Sequence, residues 1–203
     1  MYLRRISKIA KNQFSQSIQN IETSLKKIKV QSVAPVESWN PQFCGNLDIR
    51  ILKDGSWFYE GSKINRTNLV KLFSSILKKE ENQYFLVTPI EKVGIQVDFA
   101  PFVAVSLDLV GNGKSQIISF TTNVGDNFDL NYEHGVRVDY NTETGEPHPY
   151  VLVRQNLEAL IDRKNFYRLI DLGTVEKYKG QDWFGVWSSN CFFPIIKNKY
   201  LQQ

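Results

Sequence analysis

Ile49-Arg50-Ile51-Leu52-Lys53-Asp54-Gly55-Ser56-Trp57-Phe58-Tyr59 reads as two short strands joined by a turn. Apolar and polar residues alternate through Leu47-Asp48-Ile49-Arg50-Ile51, the period that sends successive side chains to opposite faces of a sheet. Asp54-Gly55 predicts a hairpin turn of type I′, which needs positive φ angles, and Trp57-Phe58-Tyr59 returns as the second strand. Asn65 then offers a helix N-cap. Behind it Leu69, Leu72, Phe73, Ile76 and Leu77 fall at i, i+3, i+4, i+7 and i+8, one apolar face of a helix. Tyr84-Phe85-Leu86-Val87 reads as a buried strand ended by Pro89. Strand, turn, strand, helix, strand is the unit that decides the fold.

The unit recurs. Val136-Arg137-Val138 aligns with Ile49-Arg50-Ile51, and Arg154-Gln155-Asn156-Leu157-Glu158-Ala159-Leu160 aligns with Arg66-Thr67-Asn68-Leu69-Val70-Lys71-Leu72 at nearly the same offset. The latter pair shares the string R-x-N-L-x-x-L, which predicts a short helix through Leu157, Leu160 and Ile161. Asp162 is read as the cap of a further helix that Gly173 ends. Between the copies, residues 93–97, 102–110 and 117–122 read as strands, as do 136–140, 184–187 and 192–193. The expected fold class is α+β: two similar strand-turn-strand-helix-strand lobes with mostly antiparallel sheet, preceded by an N-terminal helix. The expected divisions are a basic amphipathic helical extension over 1–35, an N-terminal α+β lobe over 36–92 and a β-rich α+β lobe over 93–203.

Composition narrows the class. Of 203 residues, 42% are hydrophobic and 13% aromatic, enough to build a solid interior. No window approaches the roughly 18 uninterrupted apolar residues of a membrane span, and the basic start Met1-Tyr2-Leu3-Arg4-Arg5 lacks the apolar run of a signal peptide. A cytoplasmic protein is expected. Cys44 and Cys191 are far apart without a CxxC partner, which argues against a disulfide framework and a cysteine zinc site. The net charge of +4 is concentrated at one end, where Arg4, Arg5, Lys8, Lys11, Lys26, Lys27 and Lys29 face only Glu22. That distribution makes nucleic acid an unfavoured partner for the body. Phe14, Ile18, Ile21, Leu25 and Ile28 form a heptad seam, so a helix over 3–29 is a candidate homodimer contact. Contact with nucleic acid through that basic helix is the competing reading.

No catalytic constellation, metal cluster or cofactor motif stands out. Cys44 with His134 or His148 has no spacing that brings the groups together. Gly111-Asn112-Gly113-Lys114-Ser115 lacks the spacing and following helix of a phosphate loop. The candidate ligand-binding residues are Arg50 and Arg137, at matching places in the two units, for an anionic ligand. Trp57 and Trp187 are candidates to stack on a flat ligand. Glu91, Lys92, Asn123 and Asp126 follow apolar strands, where short loops project polar groups. These residues support a cytosolic ligand- or partner-binding module with its site in the groove between two lobes. The enzyme alternative is a small hydrolase using the carboxylates of Glu91 and Asp126.

Longer strings carry a family resemblance. They include Trp39-Asn40-Pro41 with Phe43-Cys44-Gly45, Asp54-Gly55-Ser56-Trp57-Phe58 and Glu60-Gly61-Ser62. Leu86-Val87-Thr88-Pro89-Ile90-Glu91-Lys92-Val93-Gly94-Ile95, Thr122-Asn123-Val124-Gly125-Asp126 and Gly185-Val186-Trp187-Ser188 follow in order. Over about residues 37–196 the chain resembles the bacterial family designated domain of unknown function 1285. The resemblance implies two similar α+β subdomains and a suggested part in bacterial signal transduction, and it brings no established catalytic residues. Asn46 departs from the acidic residue common at that place in the family, which weakens a metal or acid–base role for its turn.

Overall fold

The computed structural model describes residues 34–200, so the helix expected over 3–29, with the dimer and nucleic-acid readings that depend on it, lies outside the described residues. A meander of β1 (Phe43–Ile51), β2 (Trp57–Tyr59) and β3 (Ser62–Lys63) leads into helix α1 (Thr67–Ser75). A second meander follows: β4 (Leu77–Glu80), β5 (Gln83–Val87) and β6 (Lys92–Val97). Together these strands form one sheet in the order β3-β2-β1-β6-β5-β4.

The chain then makes β7 (Phe102–Val110), β8 (Ile117–Thr122) and β9 (Asn127–Asp129). Next come β10 (Val136–Tyr140), β11 (Pro147–Arg154) and β12 (Leu157–Ile161), helix α2 (Arg163–Asp171), and β13 (Thr174–Tyr178), β14 (Gln181–Ser188) and β15 (Cys191–Lys197). The second sheet has the order β10-β11-β12-β7-β8-β9, and β13-β14-β15 form a third. Strand β12 runs parallel to β7, with Leu160 opposite Val103, so the second sheet is mixed.

Meander, helix, meander is therefore present twice, once in each of two similar lobes. Strand β1 pairs with β6 within one sheet, whereas β10 only packs near β15 of a separate sheet, and the β7–β9 meander precedes the second copy. The correspondence of Ile49-Arg50-Ile51 with Val136-Arg137-Val138 holds in detail: Arg50 pairs across to Phe58, and Arg137 to Tyr150.

The string R-x-N-L-x-x-L does not mark equivalent elements. Residues 66–72 enter α1, whereas 154–160 turn through Gln155 at φ +46° and continue as β12. The short helix expected through Leu157, Leu160 and Ile161 is thus a strand. Its alternative is pairing between β11 and β7, which satisfies its backbone on both edges and overrides local propensity. Helix α1 starts two residues beyond Asn65 and stops at Ser75. The expected apolar face still goes inward, for Leu69, Phe73, Ile76 and Leu77 are all buried, but Leu77 already belongs to β4. Strand β4 hides in the charged run Lys78-Lys79-Glu80, and its register with β5 is what makes it a strand.

The hairpin turn also differs from type I′. Gly55 alone is left-handed there, at φ +77°. Its N–H donates to the Leu52 carbonyl at 2.9 Å, and the Leu52 N–H donates to the Ser56 carbonyl at 3.0 Å. Asp54 turns the chain with its side chain instead, accepting from the Ser56 N–H at 2.8 Å and the Ser56 hydroxyl at 2.9 Å. By contrast, Asp162 caps α2 as expected, accepting from the Asn165 N–H at 2.8 Å.

The described residues divide into two compact units, 34–48 with 71–95 and 49–70 with 96–200. Ala34, Val36, Ile76, Leu77, Leu86 and Val87 are buried in the first. The second buries Trp57, Phe102, Leu107, Ile118, Phe120 and Leu130 completely or nearly so. No helix among the described residues is long and apolar enough to cross a membrane.

Candidate ligand-binding cavity

The second unit contains a cavity of about 680 Å³. Its floor comes from the parallel strands, with Val103 and Val105 of β7 beside Leu160 and Ile161 of β12. Phe166 and Tyr167, in the first two turns of α2, make one wall. The Asp162 N–H donates to the Ala104 carbonyl at 3.2 Å, which fixes the helix start against β7. Lys53 and Asp54 of the β1–β2 turn, with Glu146 and the first residues of β11, Pro147 to Pro149, complete the rim.

Each carboxylate on the rim has a donor of its own. Asp54 is engaged by Ser56, and that backbone hydrogen bond holds its carboxyl below the usual carboxylate range. Asp162 is the helix cap. Glu146 has Lys53 Nζ at 3.4 Å and His148 Nε2 at 3.9 Å. The Lys53 ammonium also sits 4.7 Å from the centre of the Phe99 ring, which meets His148 edge-on at 5.0 Å. Arg163 is different. Its Nε and Nη2 donate to the Tyr167 hydroxyl oxygen at 3.2 and 3.1 Å, and it makes no ion pair among the described residues.

One residue expected from sequence helps build this frame. Asn123 accepts from the Val103 N–H through Oδ1 at 3.0 Å and donates through Nδ2 to the Gly55 carbonyl at 3.3 Å. It thereby ties the turn bearing Lys53 and Asp54 to the start of β7. A Cβ at Gly55 would stand 2.4 Å from Asn123 Nδ2, so glycine is required here by close approach as well as by φ.

The other candidates have local partners away from the cavity lining. Arg50 Nε donates to Asp98 Oδ1 at 2.8 Å, and Trp57 is buried in the core. Glu91 closes a turn in which its N–H donates to Thr88 Oγ1 at 3.0 Å. Lys92 donates to Glu80 at 2.7 Å and lies 4.8 Å from the Phe85 ring centre. Asp126 receives Arg154 Nη1 at 2.9 Å and, through its own N–H, donates to Thr122 Oγ1 at 3.0 Å. Glu91 and Asp126 fall in different compact units.

Arg137 donates to both oxygens of Glu158, at 2.6 and 2.7 Å, and also to Asp139, while stacking 4.3 Å from the Tyr150 ring centre. The Glu158 hydrogen bond is the main reason its guanidinium is held even more firmly protonated than usual. Trp187 donates from Nε1 to Glu176 at 3.1 Å, with Lys114 Nζ 4.4 Å from its ring centre. Residues that could hold a metal ion, three or more His, Cys, Asp or Glu together, do not cluster among the described residues.

Lys53, Arg163 and Tyr167 were not singled out by sequence as site residues. Arg163 and Tyr167 carry one readable signal, their i, i+4 spacing behind the cap Asp162, which places them on one helix face.

Comparison with known proteins agrees with the two-lobe build. The model for the N-terminal domain of the domain of unknown function DUF1285 matches residues 34–100, and the model for its C-terminal domain matches residues 101–195. A crystal structure of a DUF1285 family protein from Silicibacter pomeroyi DSS-3 is 52% identical at a TM-score of 0.81, with 90% of this chain and 98% of that one covered. A second, from Shewanella baltica OS155, is 25% identical at a TM-score of 0.50, covering 62% of this chain and 91% of that one. A search of curated proteins finds no match. With both domain models matched in order, the chain belongs to the DUF1285 family.

Proposed function

We propose that the protein is a ligand-binding module whose small-molecule ligand occupies the cavity of the second unit. The observation that carries this reading is the cavity itself: about 680 Å³, with an aliphatic floor and polar groups confined to the rim. Small-molecule sites have this character and volumes of about 300–1,000 Å³. Binding is favoured over hydrolysis because the rim carboxylates are engaged in a turn, a cap and an ion pair, each of which holds the cavity's shape. A cytosolic regulatory role, with ligand occupancy read by a partner protein, is the setting that fits a binding module of this kind.

A thermal-shift screen of metabolites tests the proposal. A ligand at one hundred times its dissociation constant stabilises the fold by about 2.7 kcal/mol. The partly exposed Val105 allows a blocking variant, Val105→Trp, that fills the cavity without touching the core. The expected result is a stabilising compound whose effect disappears in Val105→Trp. A screen without such a compound, or shifts that survive in the variant, would refute the assignment.

A further inference from the structure

We infer that the ligand is an amphipathic acid, with an apolar body on the β7–β12 floor and a carboxylate or phosphate head held by Arg163 and Tyr167. This inference rests on the reading of the cavity as a binding site.

The argument follows the donors. Arg163 uses Nε and Nη2 on the Tyr167 hydroxyl oxygen, so that oxygen is an acceptor in the pair and its own hydrogen remains to be donated. Arg163 Nη1 has no hydrogen-bond partner among the described residues. The two side chains, one helical turn apart at the cavity wall, thus present three N–H groups and one O–H group beside a full positive charge. Such a fork matches the oxygens of a carboxylate or phosphate.

Charge elsewhere on the rim sharpens the choice. Lys53 is matched by Glu146, which also neighbours His148, while Asp54 and Asp162 are held by backbone N–H groups. Arg163 makes no ion pair among the described residues; Glu146 acts on it only at longer range, and its side-chain hydrogen bonds go to the Tyr167 hydroxyl oxygen. An ammonium head would have to share a carboxylate that already serves a turn, a helix cap or the Lys53 pair. An acid head displaces nothing. Val103, Val105, Leu160, Ile161 and Phe166 leave the rest of the ligand to be apolar.

Calorimetric titration of the full chain near neutral pH with octanoate, octyl phosphate, octanol and octylamine isolates the head group. The acids are expected to bind at least about tenfold more tightly than octanol, and octylamine more weakly still, as loss of a charge-assisted hydrogen bond implies. Arg163→Gln and Tyr167→Phe, both at exposed positions, should bring the acids close to octanol while leaving octanol itself unchanged. Preference for octanoate over octyl phosphate, or the reverse, identifies the head as a carboxylate or a phosphate. Equal affinity for acid and alcohol, acid binding untouched by Arg163→Gln, or no binding by any of the four overturns the ligand class. The binding-module reading fails separately, if the metabolite screen yields no compound sensitive to Val105→Trp.

Discussion

The side-chain amide of Asn123 donates to the carbonyl of Gly55 at 3.3 Å, a contact across 68 residues of sequence. The same amide accepts from the Val103 N–H, and Val103 lies on the cavity floor. One side chain therefore sets both the turn at the rim and the strand beneath it.

Asn123→Ala removes both bonds and leaves the Val103 N–H, which belongs to a buried residue, without that acceptor. A loss of about 1–3 kcal/mol in folding stability is expected. Urea unfolding measures it. The affinity for octanoate should fall as well, since the turn is no longer held at the rim; a variant of native stability would contradict the clamp.

Gly55→Ala tests the same contact from the other side. The new Cβ would fall 2.4 Å from Asn123 Nδ2, on a backbone at φ +77° that non-glycine residues adopt at a cost of about 1 kcal/mol or more. Because the clash involves Asn123, the two substitutions should be coupled. In a double-mutant cycle Gly55→Ala is expected to be milder in the Asn123→Ala background than in the wild type. Strict additivity would show that the two residues do not meet in solution.

The strand part of this architecture was legible because alternation is local: β1, β7, β8 and β10 could be read from their own residues. Elements decided by distant pairing could not. Leu157-Glu158-Ala159-Leu160-Ile161 has apolar spacing compatible with helix or strand, and pairing with β11 and β7 selects the strand. Lys78-Lys79-Glu80 looks like a solvated run until β5 returns alongside it. The cavity was hidden for a similar reason, since its lining comes from residues 53–54, 103–105, 146–149 and 160–167, which no motif spacing joins. Polar residues after strands drew attention, yet in Glu91 and Asp126 they close turns that the strands themselves require. Asn123 is legible because it follows a strand, and in the structure it fastens the start of β7 to the β1–β2 turn.

Lys92 illustrates how a candidate site residue acts through structure. Its hydrogen bond is the largest cause of the lowered pKa of Glu80, ahead of the attraction of Lys92 and Lys78 and against the effect of burial. Lys92→Met should return Glu80 towards its ordinary value, as followed by carboxyl NMR titration. A carboxyl with a depressed pKa in the folded state adds stability above its unfolded value, near 4.5, and loses it as pH falls through the folded value. Wild type is therefore expected to lose slightly more stability than Lys92→Met on acidification through that window. The pair is half-buried at the sheet surface and still reached by solvent, so the difference stays at about 1 kcal/mol or less. An unchanged Glu80 titration would remove the basis for this assignment.

Arg137 provides the contrast with Arg163. Its guanidinium is engaged by Glu158 and Asp139 and covers the Tyr150 ring, so it has the fixed geometry of a sheet brace. Arg137→Gln should lower stability by about 1 kcal/mol or less and leave octanoate affinity within error of the wild type. A tenfold loss of affinity in Arg137→Gln would move the acid site from α2 to the β10–β11 face.

Asn165 supplies a stabilising prediction. It is 1% exposed, and its backbone N–H is used by the Asp162 cap. The side-chain oxygen accepts from Arg168 Nη1 at 3.3 Å, while Nδ2 has no hydrogen-bond partner among the described residues. A buried donor left without a partner costs about 1–3 kcal/mol, and leucine has a better helix propensity in similar space. Asn165→Leu removes the orphan donor at the expense of one long hydrogen bond, so a net gain of about 1 kcal/mol is expected. Urea unfolding should show a higher midpoint with an unchanged slope. Asn165→Asp, which exchanges the donor for a buried charge, should move the midpoint the other way. A lower midpoint for Asn165→Leu would mean that Nδ2 is satisfied in solution, by a water or by a shift of α2, and that the amide is a working part of the helix contact.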